Sequence, residues 1–268
     1  MSYSKLFILV LLNISVLTNV TFAGNKLSCS YSYKSGYGNG CFFSSMRLFD
    51  QLSDVDDGNN YCAPTSAAMA LSALTYGGVS YYTSSWTKKN FVNKSTKKRI
   101  EAFAGLMRTS KDSGTSDYYT KRFKKRDGDF PDATENLDKA NSIKLYDSHM
   151  RSLVRRGEVN VLAYGHYEED CTGTGSSRVC KYDVDGGHVV AVNGYFYTSG
   201  SSTYTTHIFD PWGGAQRERD ITKLSDKTKK KFMGFDLDYR PFGGKTYYLR
   251  KSGSNYKIIE YVSGVNSN

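Results

Sequence analysis

A thiol, an imidazole and a carboxylate suffice for nucleophilic hydrolysis of an amide. The thiol must be held ionised and the imidazole held in one tautomer. The chain of 268 residues has five cysteines and four histidines, so the search for such a set is short. Cys62 stands out first. It lies in N-N-Y-C-A-P-T-S-A-A-M-A-L-S-A-L (residues 59–74), at the mouth of a small-residue apolar run. That run is strongly helix-forming, with Pro64 tolerated only in a first turn. A helix N-terminus stabilises negative charge, which is what a thiolate needs. By residue type alone Cys62 has three readings: a buried structural thiol, half of a disulfide, or a nucleophile.

The other cysteines bear on that choice. Cys171 and Cys180 bracket the Gly/Ser-rich T-G-T-G-S-S-R-V, and Cys29 and Cys41 bracket S-Y-S-Y-K-S-G-Y-G-N-G. If each pair closes its own loop, Cys62 is the free thiol. Pairing of Cys62 with Cys29 or Cys41 is the alternative, because sequence does not set connectivity. There is no C-x-x-C and no cysteine–histidine cluster, so neither a structural zinc nor any other metal or cofactor is expected.

A nucleophilic thiol needs a histidine. His149 falls on the polar side of a candidate helix, His166 precedes the acidic E-E-D, and His207 sits inside a strand-like run facing core or solvent. His188 differs: it follows Gly186-Gly187 and opens H-V-V-A-V-N-G-Y-F-Y (188–197), where glycines leave room for an imidazole to point into a cleft. The next strand-like run ends in I-F-D-P-W-G-G (208–214). Two strands and a turn would bring Asp210 beside His188. Alone, Asp210 would read as a turn residue before proline.

The elements that must position these residues divide along the chain. Helical patterns come first: the run behind Cys62, ended by Gly77-Gly78, then K-R-I-E-A-F-A-G-L-M-R (98–108), then I-K-L-Y-D-S-H-M-R-S-L-V-R-R-G (143–157). Five alternating β-rich runs follow, at 158–164, 188–197, 203–209, 245–250 and 256–262. Helices followed by strands make an α+β layout around one core. The charged, Gly-punctuated stretch at 109–133 reads as a long loop or insertion.

Taken together, C-A-P-T-S-A-A-M-A-L, R-R-G-E-V-N-V-L-A-Y, G-G-H-V-V-A-V-N-G-Y and I-F-D-P-W-G-G resemble the papain-like cysteine peptidases. They are most similar to the double-glycine-leader, bacteriocin-processing peptidase domain and its secreted relatives, over roughly residues 48–215. The spacing from Cys62 to His188 and Asp210 is near the about 130–150 positions of papain-type enzymes. The resemblance implies a helical N-terminal part whose nucleophile helix packs on a C-terminal antiparallel sheet or half-barrel. It implies Cys62 as nucleophile, His188 as base and then acid, Asp210 as the residue orienting His188, and a peptide or protein as substrate. Trp212 resembles the tryptophan that shields the orienting hydrogen bond, with ordinary core packing as the alternative. The pattern departs at one place. The family carries an oxyanion-hole glutamine five or six residues before the cysteine, where this chain has Asp56 and Asp57. Gln51 is the nearest glutamine, and Asn59 or Asn60 are the other donors. Besides peptide cleavage, the same triad supports deamidation, transamidation or cell-wall amide hydrolysis. A catalytically inert, basic secreted binding domain is the alternative of a different class.

The chain begins with Lys5, the apolar L-F-I-L-V-L-L (6–12) and T-F-A (21–23), which reads as a signal peptide cleaved after Ala23. The apolar run is too short for a transmembrane anchor. The organisation expected is therefore a signal peptide at 1–23, an irregular segment at 24–47 and a catalytic domain at 48–268, secreted or periplasmic, and a monomer. Net charge is +10, concentrated at 87–99, 121–126 and 226–232. Such basic faces favour anionic envelope or cell-surface polymers, or simply keep the protein soluble. No nucleic-acid-binding motif accompanies them.

Overall fold

The fourteen residues after Tyr61 are all small, apolar or hydroxylated, and a helix built from them has no polar face to offer water. In the computed structural model, helix α1 (Cys62–Thr75) is accordingly buried nearly all round, with Ala67, Ala68, Met69, Ala70, Leu71 and Ala73 fully enclosed. The residues described are 27–30, 40–43, 46–75, 85–116, 158–197, 204–224, 229–233 and 246–266. The expected signal peptide, the helix at 143–157 with His149, the Gly77-Gly78 stop and the part of the 109–133 stretch after residue 116 lie outside them. Two short helices follow α1. These are α2 (Ser85–Asn90) and α3 (Thr96–Leu106), the latter starting at Ser95, whose side chain accepts from the Lys98 N–H.

The strands are β1 (Leu27–Ser30), β2 (Gly40–Phe43), β3 (Glu158–Thr172), β4 (Val179–Tyr197), β5 (Tyr204–Asp210), β6 (Ala215–Lys223), β7 (Lys229–Met233), β8 (Tyr247–Ser252) and β9 (Asn255–Asn266). Eight of them follow an antiparallel path in the order β1-β2-β4-β3-β9-β8-β6-β5, and β7 adds to β4 in parallel. β5 also pairs with β4. The strands β4, β3, β9, β8, β6 and β5 therefore form a closed antiparallel ring, one step beyond the half-barrel expected. The α+β class holds. The pleat sorts the strand residues into two cores. Leu162, Tyr164, Val190, Val192 and Ile208 join Ile221, Leu249 and Ile259 in one. Their neighbours Val161, Ala163, Val189, Ala191 and Phe209 join α1 in the other.

Four strands lie where none was expected: β1, β2, β6 and β7, the last within the basic stretch at 226–232. Residues 24–47 contain β1 and β2, not a purely irregular segment. Cys41 is disulfide-bonded, and Cys29 faces it in the register. Pairing of β2 with β4 supplies order that a Ser/Tyr/Gly composition does not. β6 carries A-Q-R-E-R-D-I-T-K, in which charge hides the alternation. Cys171 and Cys180 face each other across β3 and β4 and are joined by a disulfide. No helix of the described residues is long and apolar enough to cross a membrane.

Candidate active site

Cys62 opens α1, and the first bond of the helix is Thr65 N–H to the Tyr61 carbonyl (3.0 Å). The backbone N–H groups of Cys62 and Ala63 consequently have no partner within the helix and are directed outward at its tip. One turn on, the Ser66 hydroxyl donates to the Val189 carbonyl (2.9 Å). That bond ties the helix to the residue following His188, and so sets thiol and imidazole side by side. Cys62 is half-buried and free, which removes the structural-disulfide reading.

His188 is aimed by a bulge. The β3–β4 register slips between Gly165 and Tyr167, and on β4 the slack is taken up at Gly186, whose φ of 91° favours glycine. The imidazole that emerges has 12% of its side chain exposed, and its Nε2 lies 2.8 Å from Asp210 Oδ1. Its second nitrogen is left for Cys62, which lines the same cleft. Burial alone would depress the pKa of His188. The hydrogen bond to Asp210, together with the favourable interaction with the Cys62 sulfur and the charge of Asp210, raises it to about 9.

Asp210 closes β5 and is almost wholly buried. Oδ1 also accepts the Trp212 backbone N–H (3.0 Å), and Oδ2 accepts Arg217 Nε (2.9 Å). Burial would raise this carboxyl, but His188, the Trp212 amide and Arg217 together hold it at about 2. The indole of Trp212 is 49% exposed at the rim of the cleft, so core packing does not describe it. Tyr164, directly across the β3–β4 ladder from His188, stacks edge-on to its ring with centroids 5.5 Å apart. Burial, then the charges of Asp210 and Cys62, push its hydroxyl well above the usual range, so it stays neutral.

These shifts predict a pH signature. The stabilisation from His188 is complete below its ordinary value of 6.5 and is lost as pH rises through about 9. That from Asp210 is present above 3.8 and is lost as pH falls through about 2. Thermal unfolding of the wild type should therefore lose midpoint between about pH 6.5 and 9 by a component absent from His188→Gln. Parallel profiles for the two proteins would contradict the ion pair.

Gln51 is not where an oxyanion donor should be. It is fully buried, and its Nε2 donates to the carbonyls of Gly58 (2.8 Å) and Asn59 (3.0 Å). Its backbone approaches so closely that a Cβ on Gly58 would stand 1.7 Å from the Gln51 carbonyl oxygen. The longer loop between Gln51 and Cys62 folds over this amide, so Gln51 braces the loop and does not line the cleft. Its own N–H donates to the Pro211 carbonyl (2.9 Å), and Asp50 Oδ1 accepts the Gly213 N–H (3.1 Å). The loop before Cys62 is thereby fastened to the turn after Asp210. Asn60 is committed as well, donating to the Lys111 carbonyl (2.6 Å). Asn59 remains, exposed on the wall of the cleft beside Cys62.

The cleft measures about 700 Å³ and brings together Cys62, His188, Asp210, Tyr164, Trp212 and Asn59. His166 lies on its rim, its pKa lowered by burial and by the charges of Lys257 and His188. His207 lies apart, between the rings of Phe42 and Phe209. Sequence reasoning missed Arg217, Arg219, Arg250 and Lys257, which also line the cleft. The one signal for two of them was R-E-R, which follows D-P-W-G-G after Ala215 and Gln216. A family model described as Peptidase_C39 like family matches residues 43–247, a span that holds Cys62, His188 and Asp210. No curated protein and no solved structure matches the chain.

Proposed function

The chain belongs to the Peptidase_C39 like family, a papain-like cysteine peptidase relationship, and on that premise we propose that it hydrolyses peptide bonds through Cys62, His188 and Asp210. The observation that carries the reading is the set of a half-buried free thiol at the tip of α1, the His188 ring in the same cleft, and a buried carboxylate that hydrogen-bonds that ring. An imidazolium beside the sulfur stabilises the thiolate. The thiolate attacks the carbonyl carbon, and the tetrahedral oxyanion is met by the Cys62 backbone N–H and the Asn59 side chain. His188 then protonates the leaving amine as the C–N bond breaks. Water that gives its proton to His188 next attacks the thioester, releasing the acid and the free thiol. The first 23 residues act as a signal peptide in this reading, and the Cys171–Cys180 disulfide supports work outside the cytoplasm. The finer kinship is to peptidases that process double-glycine leaders.

The inert binding domain has one observation in its favour, the turning of the Gln51 amide away from the cleft. Alkylation separates the two. Iodoacetamide at pH 6 should label Cys62 in the folded protein at least about tenfold faster than free cysteine in solution. His188→Ala should remove that advantage. Labelling at the rate of free cysteine, unchanged by His188→Ala, would leave only the inert domain.

A further inference from the structure

The barrel side of the cleft carries four cations, Arg217, Arg219, Arg250 and Lys257. Arg217 on β6 is held by Asp210. Arg219 on the same strand, Arg250 on β8 and Lys257 on β9 have no carboxylate at ion-pair distance among the described residues. Arg250 and Lys257 stand directly opposite each other in the β8–β9 ladder. Like charges so placed destabilise a sheet. Arg219 and Lys257 are moreover half-buried, where an unmatched charge is costly. The acidic residues lining the cleft do not resolve this. Asp210 is engaged with His188 and Arg217, and Glu260 is buried and accepts the Tyr167 hydroxyl (3.3 Å).

The cluster reaches the reacting groups through one residue. Lys257 Nζ donates to the Tyr164 hydroxyl (3.0 Å) and lies 4.7 Å from the centre of its ring, and that ring packs on His188. Beyond Arg250 and Lys257 the wall continues into a second hollow of about 280 Å³, which shares both residues and His166 with the main cleft and is also lined by Glu168 and Asp185, neither at ion-pair distance from the cations. A chain seated over Cys62 would run past these cations. Burial first lowers the pKa values of Arg219 and Lys257, and the repulsion of the nearby arginines lowers them further against the attraction of Asp210.

We infer that Arg219, Arg250 and Lys257 form a carboxylate-binding subsite, so that the peptides accepted by this cleft carry a carboxylate close to the scissile bond. The inference rests on the peptidase reading for its substrate class, but the subsite itself does not need catalysis. The carboxylate comes either from an Asp or Glu side chain or from the C-terminus of a short peptide. A cation cluster of this kind selects acidic partners and speeds their capture.

The test uses the mature chain, wild type for turnover and Cys62→Ala for binding. Cleavage sites in digests of denatured casein, read by mass spectrometry, give a starting peptide, which is then made in Glu and Gln versions, each with a free or an amidated C-terminus. The wild type should favour the carboxylate-bearing member by about tenfold or more in kcat/KM. Fluorescence anisotropy of Cys62→Ala with the same four peptides at low salt should show the same order of affinity. Fixed Glu/Asp-rich and Gln/Asn-rich peptides serve for binding if the digest yields no cleavage. Loss on Glu→Gln assigns the side chain, and loss on amidation assigns the terminus. Arg250→Gln, at an exposed position, and Arg219→Gln should each bring the preference towards unity, with folding checked by thermal unfolding. Equal handling of all four peptides would overturn the subsite, as would an equal loss in Lys89→Gln, an exposed lysine outside the cleft. Carboxylate-selective binding without any hydrolysis would retain the subsite and refute the peptidase. Hydrolysis without selectivity would do the reverse.

Discussion

Replacing Cys62 with alanine is expected to lower peptide hydrolysis by about 10⁴-fold or more, to the level of buffer. The size follows from the chemistry. No other free thiol stands among the described residues, since Cys41, Cys171 and Cys180 are all in disulfides. The acyl-enzyme has no alternative nucleophile, and what remains is the effect of binding and of the backbone donors. The fold should not suffer. Cys62 is half-buried at the first position of α1, and alanine is the best helix former. The melting temperature should thus stay within a few degrees, and loss of activity with an unchanged unfolding curve is the expected pair of results. His188→Ala should be nearly as severe, and the double variant no worse than either alone, because the two act as one unit. Losses that multiply in the double variant would mean that sulfur and imidazole act separately.

The weak point of the site lies upstream of the cysteine. In the papain-like pattern a glutamine amide reaches the oxyanion from a loop just before the nucleophile. Here that loop is longer, and its glutamine has become a buried brace on the Gly58 and Asn59 carbonyls. By holding those carbonyls, Gln51 fixes the backbone that presents Asn59 at the mouth of α1. On the proposed reading, the donor Asn59 and its support Gln51 are thus two residues. Loss of one such donor in related chemistry costs about 10²–10³ in rate, which sets how slow a site without it would be.

How far this was legible depends on what signal each part leaves in the sequence. Cys62 and the helix behind it were readable because a small-residue apolar run has a single structural meaning, and the structure starts α1 at the cysteine. His188 and Asp210 were readable from glycines before one strand and a proline after another, and the ladder sets them 2.8 Å apart. The strands at 158–172, 179–197, 204–210 and 255–266 alternate as barrel strands must. β6 was hidden for the same reason that it matters. Its inward and outward positions are both occupied by charge, because Arg217 and Arg219 serve the cleft and not a core. Barrel closure was not readable, since the pairing of β3 with β9 is a long-range contact that no local pattern encodes. The course of Gln51 was hidden likewise, because spacing tells that a loop is longer but not which way it folds.

Asp210→Asn should cost more activity than the small chemical change implies, and Arg217→Ala should give part of it back. The carboxylate accepts from three donors: His188 Nε2 and the Trp212 N–H at Oδ1, and Arg217 Nε at Oδ2. An amide has one oxygen. If that oxygen faces His188, the NH₂ group opposes the Arg217 N–H, donor against donor. If it faces Arg217, the NH₂ group meets His188 Nε2 and forces the proton onto the nitrogen that must face Cys62. Neither orientation satisfies both neighbours, so kcat/KM should fall by about 10²–10⁴, the upper end being the cost of a wrong tautomer. Removing the guanidinium lets the oxygen return to His188, and Asp210→Asn/Arg217→Ala should recover about tenfold over Asp210→Asn. Asp210→Ala has no such rescue. It deprives a buried imidazolium and the Trp212 amide of their acceptor and should cost about 3 kcal/mol of stability, the low end for breaking a buried pair, because Arg217 is 39% exposed and can turn to water. The measurements are kcat/KM on one peptide and urea unfolding for the four proteins. A double variant slower than Asp210→Asn would mean that Arg217 serves the reaction directly and not through the carboxylate it holds.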